Sequence, residues 1–449
     1  MRAACDTVAV IVWPADGAAL DQTVRAIGRV ASHSGIPAAV YLVDDGADER
    51  IASIAARTGA SILISRSRDY GDVIAAGVDA IGEAYIVTLD GSGAHPPDLL
   101  SSLCAMRRQA DLVIASRYVP GGFDEMGMWR RLVSRSLNAA FRRLLSLPIH
   151  DLSSSYRLYR RDLLVRLAPK MTTDAALQEI LVRTYCEGYA IAEVPWHYVR
   201  VTERDRGVGK LTHLALDYVS TFRAMWALRN SIDSCDYDSR AFFSRIPLQR
   251  WWQRKRCRIL ASHASGRLRV LDAGCGSTQL LNRVPLAIGM DYSLRKLRFM
   301  RRPGRRLVNG STFDLPFRSG AFDVVISSQV VEHLRADPKV FAELARCVAP
   351  GGTLVVGTVD YGTWRWPVIE RLYDWFKPTG YAQEHITHYT RRTLIEQLRA
   401  NGLQIDQCED ICGAEIIVTA TKLELPEIER VREAVTAVAV DERVGSLIR

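Results

Sequence analysis

The sequence predicts an α/β protein made of two domains. Its 449 residues allow two or three domains, since one domain takes roughly 150 residues. In each half, short apolar runs alternate with amphipathic stretches, a rhythm typical of parallel sheets covered by helices. The rhythm breaks over residues 231–266, where clusters of Asp and Ser precede a basic, Trp-containing stretch.

This alternation predicts the elements in chain order. In the first half, we expect strands at Val8–Trp13, Ala38–Val43, Ser61–Ser65, Tyr85–Leu89 and Leu112–Ala115, and helices at Leu20–Ala31 and Glu49–Thr58. A second α/β series starts at Arg269–Leu271 and continues to about Thr421. We therefore expect a first domain over 1–230, a linker and leading helix over 231–266, a second domain over 267–425 and a helical tail over 426–449.

Composition and charge limit the class of protein. The chain is 48% hydrophobic and 24% charged, which is typical of a soluble globular protein. It has no apolar run of the roughly 18–20 residues that a spanning helix needs. Asp6 and Asp16 interrupt the first apolar stretch, so we expect no signal peptide and a cytoplasmic location. The nine scattered cysteines form no Cys-x-x-Cys pair, which favours neither disulfides nor a zinc site.

The net charge of +9 is concentrated locally, with basic patches over 101–150 and 295–306. Such patches suit phosphates, an anionic membrane face or a solvated surface. Nucleic acid is not an expected partner, because no nucleic-acid-binding motif accompanies the charge. Residues 128–147 combine apolar residues at helical spacing with arginines. Such a helix either lies on an anionic membrane, which would place the protein peripherally at the inner face of that membrane, or packs on the core of the protein with its arginines in solvent. Residues 212–228 offer a second amphipathic helix.

The second half carries an ordered set of motifs. Residues 270–276 read as a strand that enters a Gly-rich turn, where backbone can approach a ligand closely. The dinucleotide pattern G-x-G-x-x-G fails, because Gln279 stands at its third glycine position. An acidic residue, Asp291, ends the next strand. The blocks that follow cover 314–317, 321–325, 332–334 and 349–352.

In order and spacing, these blocks resemble class I S-adenosylmethionine-dependent methyltransferases over about 267–420. The resemblance implies a Rossmann-like fold and S-adenosylmethionine as cofactor. It implies that Asp272, Gly274 and Gly276 hold the methionine end and Asp291 the ribose. It further implies that Asp314 meets the adenine amino group, that Phe317 packs on the adenine and that Gln329 lines the methionine pocket.

The acceptor of the methyl group needs a base only if it must lose a proton. The candidate catalytic bases are His333, His385 and His388. Residues 381–389 resemble the acceptor-side lid of such enzymes, and His385 and His388 would share one face of a helix. A zinc pair is the other interpretation of these two histidines, although the sequence shows no further ligands. For Glu332-His333, a role in starting a helix or in packing is equally compatible with the pattern.

The first half carries a second ordered set of blocks. They are 43–46, 66–77, 88–90, 95–98, 115–118, Asp151, 193–195 and the cluster of Arg204, Gly207 and Lys210. The series resembles family 2 glycosyltransferases of the dolichyl-phosphate mannosyltransferase and undecaprenyl-phosphate sugar transferase type, over about 6–225, and implies a GT-A-type fold. It implies that Asp44 and Asp45, with the block that starts at Arg66, bind a nucleotide-sugar. It also implies that Asp90 faces the diphosphate and a metal ion, that Asp151 lies in the acceptor site, and that Arg117, Arg204 and Lys210 meet phosphate.

Three blocks depart from that family's pattern. The family's Asp-x-Asp reads Asp90-Gly91-Ser92 here, the opening Pro-x-Asn-Glu reads Pro14-Ala15-Asp16-Gly17, and the acceptor-site Ser-Gly-Phe reads Ser154-Ser155-Tyr156. Mg²⁺ or Mn²⁺ prefers hard oxygen ligands, so the loss of one carboxylate weakens that site.

Two hypotheses follow for the whole chain. In the first, a bifunctional transferase methylates a small-molecule, sugar or lipid-linked acceptor and transfers sugar from a nucleotide-sugar to a lipid phosphate or glycan. In the second, the glycosyltransferase-like domain is a non-catalytic module that binds lipid phosphate or membrane.

Overall fold

The chain folds into two compact α/β units, residues 1–229 and 230–449, each built on its own seven-stranded sheet. The structure, a computed structural model, describes residues 6–15, 17–46, 48–125, 128–198, 222–376 and 385–423. Arg204, Lys210, most of the second amphipathic helix and the helical tail over 426–449 lie outside the described residues. The two units are described separately below.

The first unit contains nine described strands and eight helical segments. The strands are β1 Val8–Trp13, β2 Ala38–Asp44, β3 Ser61–Ile64, β4 Tyr85–Asp90, β5 Leu112–Ser116, β6 Phe123–Asp124, β7 Arg157–Arg160, β8 Ile191–Pro195 and β9 His197–Tyr198. The helices are α1 Gly17–His33, α2 Glu49–Thr58, α3 Tyr70–Ala80, α4 Leu99–Ala105, α5 Met128–Leu144, α6 Arg161–Leu167, α7 Ala176–Cys186 and α8 over 222–230.

The main sheet of the first unit has the order β3-β2-β1-β4-β7-β5-β8. Each predicted strand is present, but the sheet is mixed rather than parallel throughout, because β7 runs antiparallel to both β4 and β5. Along β1, Ala9 and Ile11 enter one hydrophobic cluster, while Val8 and Val10 enter the cluster on the opposite face. Burial on both faces explains why the strand is a continuous apolar run.

The second unit also combines strands with covering helices. The strands are β10 Val270–Ala273, β11 Ile288–Asp291, β12 Arg306–Asn309, β13 Phe322–Ser328, β14 Val348–Val359, β15 Leu403–Ile411 and β16 Glu415–Lys422. The helices are α9 Tyr237–Phe242, α10 Pro247–Ala264, α11 Leu280–Arg283, α12 Leu294–Met300, the 3₁₀ turn Val331–His333, α13 Pro338–Cys347, α14 Arg365–Phe376 and α15 Arg391–Ala400.

The sheet of the second unit has the order β12-β11-β10-β13-β14-β16-β15. Its first five strands are parallel, and β16 is antiparallel to both β14 and β15. The parallel strands therefore end at one edge, which is where loops bind ligands in open α/β sheets.

Residues 231–266, assigned from the sequence to a linker and leading helix, lie within the second unit. Leu260 and Ala264 of α10 are buried in the core beneath β10. The side chain of Arg256 and the indole N–H of Trp252 both donate to the fully buried carboxylate of Glu415, on β16. This segment is therefore a structural part of the second unit.

The helix expected over 128–147 is present as α5 and ends at Leu144. Ser146 follows with φ +49°, a left-handed conformation that stops the helix. Large apolar side chains of α5 remain exposed: Met128 at 75%, Leu132 and Leu137 at 55%, and Leu144 at 51%. Among the described residues, no helix has the length and apolarity to cross a bilayer.

Candidate active sites

The turn after β10 is shaped for close approach by a ligand. Gly274 and Gly276 have φ of +82° and +51°. A Cβ on Gly274 would lie 2.3 Å from Cγ2 of Val330, and one on Gly276 would lie 2.6 Å from Oδ2 of Asp238. The backbone N–H groups of Gly274 and Cys275 both donate to the carbonyl of Met290, at 2.8 and 2.9 Å. Glycine is therefore required at both positions by conformation and by space.

Asp291 joins this turn to the start of α12. Its Oδ2 accepts from the backbone N–H of Gly276 at 2.8 Å, and its Oδ1 accepts from that of Ser293 at 2.7 Å. A carboxylate has about four acceptor positions, so each oxygen retains capacity for a further donor such as a ribose hydroxyl.

Asp272 is buried beside the same turn, and its Oδ2 has no hydrogen-bond partner among the described residues. Burial, together with the charges of Asp291 and Asp238, raises the pKa of Asp272 to about 7. Two of these carboxylates, Asp238 and Asp291, interact with one half-buried ammonium, that of Lys296, whose Nζ lies 3.3 Å from Oδ2 of Asp238. The pocket therefore favours a ligand that brings positive charge.

Asp238 is a site residue that sequence reasoning missed, because it stands in the segment assigned to the linker. Its Oδ2 accepts from the backbone N–H of Ser277 at 3.0 Å and from the Ser277 hydroxyl at 3.1 Å. Burial acts to raise the pKa of Asp238, but the charge of Lys296 and the Ser277 hydrogen bonds hold it below its usual value. Asp238 is thus an ionised clamp on the Gly-rich turn.

The remaining predicted cofactor residues follow neighbouring strands at the same edge of the sheet. Gln329, directly after β13, has φ +59°, and its buried Nε2 has no acceptor within the part of the chain that the structure describes. Asp314 and Phe317 follow β12. Asp314 is exposed, whereas Phe317 is half-buried and packs edge-on against Phe322 with ring centres 5.0 Å apart.

Two of the three predicted histidines, His385 and His388, contact Tyr361, which sequence reasoning did not single out, and His333 lies beside His385. The rings of His333 and His385 are 4.9 Å apart, and the Tyr361 hydroxyl lies 2.8 Å from Nδ1 of His385. The exposed ring of His388 stacks on that of Tyr361 at 3.9 Å. Burial, together with the charges of His333 and His388, lowers the pKa of His385 to about 4, so this imidazole is neutral at pH 7.

In the first unit, β1, β2 and β4 end side by side, and Trp13 pairs in register with Asp90. Asp45 forms an ion pair with Arg68, with Nε 2.9 Å from Oδ2, whereas the predicted Arg66 is simply exposed. Asp44 accepts from the backbone N–H of Gly46 at 3.0 Å.

Two further sets of contacts at this edge were not predicted from the sequence. Trp13 stacks on Tyr70 with ring centres 5.4 Å apart, and its indole N–H donates to the carbonyl of Arg68. Nδ1 of His95 accepts from the backbone N–H of Asp90 at 3.0 Å, and burial lowers the pKa of His95 to about 4. These contacts give the edge an aromatic wall and fix the turn that begins at Asp90.

The residues around Asp90 do not fit a carboxylate-held metal. Oδ1 of Asp90 accepts from the backbone N–H of Ser92 at 2.7 Å, and Ser92 supplies no carboxylate. Among the described residues, no group of three His, Cys, Asp or Glu side chains surrounds Asp90. Mg²⁺ in such sites usually takes one or two carboxylates together with substrate phosphates, and this chain offers one.

Asp151 and Arg117 form a buried bidentate pair. Nε and Nη2 of Arg117 donate to the two carboxylate oxygens at 2.8 and 2.9 Å. The backbone N–H groups of Ser153 and Ser154 also donate to Asp151, whose side chain is fully buried. Burial acts to raise the pKa of Asp151, but the hydrogen bonds and charge of Arg117 hold it below its usual value.

A cavity of about 200 Å³ lies beside this pair. It is lined by Tyr118, Arg135, Asn138, Ala139, Arg142 and His150. The guanidinium of Arg135 lies 5.8 Å from the ring centre of Tyr118. His150 Nδ1 lies 2.9 Å from Oε2 of Glu193. Two arginines on one wall make the cavity suitable for an anionic group.

The site geometry and the two folds define a two-domain transferase, and comparison with known proteins agrees. A family model described as glycosyl transferase family 2 matches residues 10–167, and one described as a methyltransferase domain matches residues 242–408. The chain belongs to glycosyl transferase family 2 through its first unit and carries a methyltransferase domain in its second.

Several curated and solved proteins are similar to parts of the chain. A polyprenol monophosphomannose synthase of Mycolicibacterium smegmatis is 36% identical over 34% of this chain, and a dolichyl-phosphate hexose transferase of Haloferax volcanii is 31% identical over 34%. The chain spans 58% and 67% of the lengths of these relatives. A solved SAM-dependent methyltransferase from Thermotoga maritima is 19% identical, over 39% of this chain and 94% of that one, with a TM-score of 0.32.

Proposed function

We propose that the second unit transfers a methyl group from S-adenosylmethionine to a small-molecule, sugar or lipid-linked acceptor, and that the first transfers sugar from a nucleotide-sugar to a lipid phosphate or glycan. The observation that carries the first part is Asp272, a buried carboxylate with no partner for Oδ2 among the described residues, at a turn that only glycine can form. A cationic ligand that needs close backbone approach accounts for both features.

The residues at this turn fit the cofactor group by group. S-adenosylmethionine would supply a methyl group on a positively charged sulfur. Asp291 would accept from the ribose hydroxyls, and the amide of Gln329 would donate to the methionine end. Asp272 would offset positive charge there, while Asp238 and Lys296 keep the turn in place. Orientation of two reactants can contribute roughly 7–11 kcal/mol, so positioning is the main task of these residues.

An acceptor hydroxyl must lose its proton during or before transfer. Burial and the neighbouring histidines hold the pKa of His385 at about 4, so its ring is unprotonated at pH 7 and presents a nitrogen acceptor toward that proton, although as a weaker base than a free imidazole. An acceptor that is already anionic or carries a neutral amine needs no such base.

For the first unit, the arrangement favours an anionic acceptor. Asp151 is fully buried and surrounded by donors, so we assign it to positioning Arg117 rather than to contact with the acceptor. Arg117 and the cavity walled by Arg135 and Arg142 would meet phosphate, while Trp13, Asp44 and Asp45 would hold the nucleotide. A lipid phosphate is already a nucleophile, so no strong base is needed. We propose no metal ion at Asp90.

Two observations favour the second hypothesis for this unit. The single carboxylate at 90–92 and the exposed apolar side chains of α5 also suit a module that binds lipid phosphate at a membrane surface without transferring sugar. The two hypotheses differ in whether a nucleotide-sugar is consumed.

We expect Asp291→Ala to weaken S-adenosylmethionine binding by 10- to 100-fold, roughly, because hydrogen bonds to a charged group contribute about 1.5–3 kcal/mol. Isothermal titration calorimetry on the full chain measures this loss. Asp291→Asn, which keeps one acceptor oxygen, should lose less. Asp406→Ala, on β15, is the matched control. Unchanged affinity in Asp291→Ala would contradict the cofactor site.

We expect Arg117→Lys to lower sugar transfer by about 10-fold or more, because an ammonium keeps the charge but cannot donate in a bidentate fork. Transfer from labelled nucleotide-sugars to polyprenyl phosphate measures the rate, with and without Mg²⁺ or Mn²⁺. Arg108→Lys, on an exposed arginine paired with Asp6, is the control. Failure of the wild type to consume any nucleotide-sugar under either condition would support the binding-module hypothesis instead.

A further inference from the structure

Three side chains that lie far apart in sequence form a compact cluster on the acceptor side of the second unit. Glu332 and His333 belong to the 3₁₀ turn after β13, and His385 begins the described segment before α15. One carboxylate oxygen of Glu332 and one ring nitrogen of each histidine lie within 4.8 Å of one another. The function described above uses His385 only as a base and leaves Glu332 without a role.

Glu332 is fully buried, and the only side-chain group beside its carboxylate as a hydrogen-bonding neighbour, in the described part of the chain, is the Thr358 hydroxyl, which does not reach good hydrogen-bond geometry. Its backbone carbonyl, in contrast, accepts from the N–H groups of Ile386 and Thr387 at 2.8 and 3.0 Å. The hydroxyl of Thr387 donates to the carbonyl of Leu334 at 2.6 Å. These hydrogen bonds hold the segment that contains His385 against the 3₁₀ turn that contains Glu332. The three side chains are therefore held together by the fold.

A buried carboxylate without a partner is costly, and proteins normally pair it with a cation or a metal ion. His333 adjoins Glu332 in the chain and His385 is fixed beside it, which places two imidazoles around this carboxylate. Two histidines and one carboxylate form a ligand set that occurs in catalytic sites for Zn²⁺ and in Fe²⁺ sites with open positions.

The hydrogen bonds of His385 orient its ring for coordination. The Tyr361 hydroxyl donates its only hydrogen to Oε1 of Glu370 at 2.7 Å. Its oxygen, 2.8 Å from Nδ1 of His385, must then accept from Nδ1–H, which assigns the lone pair to Nε2. Metal-binding histidines commonly donate their second ring N–H to an oxygen in this way. The hydrogen bonds that join Glu370, Tyr361 and His385 therefore orient His385 as a metal-binding side chain.

We propose that Glu332, His333 and His385 bind one divalent transition-metal ion, with open coordination positions that take an oxygen of the methyl acceptor. Ligand atoms that share an ion at about 2.1 Å lie about 3–4 Å apart, so the cluster closes by about 1 Å when the ion binds. His388 contributes no ligand atom, because its ring stacks on Tyr361 instead. In the proposed metal site, His385 is therefore combined with Glu332 and His333 and not with His388.

This inference rests on the proposed methyl transfer and specifies its acceptor as a hydroxyl compound that can coordinate a metal. Val330, whose Cγ2 would lie 2.3 Å from a Cβ on Gly274, stands two residues before Glu332 in the same loop, so the ion would lie near the cofactor turn. With the ion bound, the lone pair of His385 would be committed to the metal, so His385 would not act as the base: a metal-bound hydroxyl would lose its proton to solvent near neutral pH. The oxygen then forms a bond to the methyl carbon, and the carbon–sulfur bond breaks with its electron pair remaining on sulfur as a neutral thioether.

Binding of Mn²⁺ to the full chain without S-adenosylmethionine tests the site, with free ion measured by electron paramagnetic resonance. We expect one ion per chain, and affinity at least about 10-fold lower in Glu332→Gln and in His385→Ala. His263→Ala, on α10, and His388→Ala should bind as the wild type does. Equal binding in all variants would overturn the proposal, and loss in His388→Ala would place an ion between His385 and His388 instead. Because no cofactor is present, the result is independent of the Asp291 experiment.

Thermal unfolding separates metal binding from a structural role of Glu332. Zn²⁺ should raise the melting temperature of the wild type and leave that of Glu332→Gln unchanged. Without metal, the variant should be at least as stable as the wild type, since glutamine keeps the shape and removes a buried charge. A less stable variant that still binds Mn²⁺ normally would show that Glu332 serves the fold alone.

Discussion

Asp272→Asn should make the ligand-free second unit more stable at pH 8, by about 2–4 kcal/mol. Burial and the charges of Asp291 and Asp238 raise the pKa of Asp272 to about 7, from 3.8 for an exposed aspartate. The difference of about 3 pH units corresponds to about 4 kcal/mol at 1.36 kcal/mol per unit. Asparagine has nearly the same shape and carries no charge, so it removes this penalty.

The gain must depend on pH in a defined direction. Below about pH 4 the carboxyl is protonated in the folded and the unfolded state, and the variant should gain nothing. Between pH 4 and pH 7 the unfolded chain ionises while folded Asp272 holds its proton, so wild-type stability falls. Above pH 7 the difference is constant. Urea unfolding of the ligand-free protein at pH 5 and pH 8 measures the gain in free energy of unfolding. The transition of the second unit is identified as the one that added S-adenosylmethionine shifts.

The same substitution should weaken S-adenosylmethionine binding at pH 8, since it removes the carboxylate that offsets the cationic ligand. Greater stability together with weaker binding is the signature of a group kept for function at the expense of the fold. Asp314→Asn, at an exposed carboxylate, is the control and should leave stability unchanged. Loss of stability in Asp272→Asn at both pH values would contradict the assignment of Asp272 as an unpartnered buried charge.

Glu415→Ala should destabilise the second unit by about 3–5 kcal/mol. The carboxylate is fully buried and accepts from the guanidinium of Arg256 and the indole of Trp252. Its removal leaves a largely buried charge and an N–H without their acceptor, which is the costly way to break a buried pair. The denaturant midpoint of the second unit measures the effect.

Replacement of both partners separates the charge from the packing. A double variant, Arg256→Met with Glu415→Leu, removes the pair and keeps apolar volume, so it should cost much less than Glu415→Ala alone. A double variant as unstable as the single one would show that shape at this contact, rather than the unpaired Arg256, determines the loss.

Local pattern was sufficient for much of the fold. β1 and α2 have the predicted bounds, because continuous apolar runs and helical periodicity are properties of short segments. β7 was missed because its ends, Arg157 and Arg160, obscure a strand pattern, and its antiparallel place between β4 and β5 is a tertiary property. The expectation of a parallel first sheet was wrong for that reason.

The candidate sites divide in the same way. Gly274, Gly276 and Asp291 meet within one strand–turn–strand unit, so their spacing along the chain reveals them. Glu332 and His385 meet only because a backbone carbonyl of the 3₁₀ turn holds a segment more than fifty residues later. Residues that approach through the tertiary fold have no characteristic spacing.

Because it contains Asp238, the segment between the two sheets does more than connect the two units. Most interdomain linkers tolerate changes in length, and domain boundaries in gene fusions often lie within them. Here the residue that grips the cofactor turn stands more than thirty positions ahead of the first strand it serves. If a methyltransferase domain were transferred to another protein with its boundary after residue 238, it would lack Asp238, which holds the Gly-rich turn. The complete domain therefore begins before residue 238.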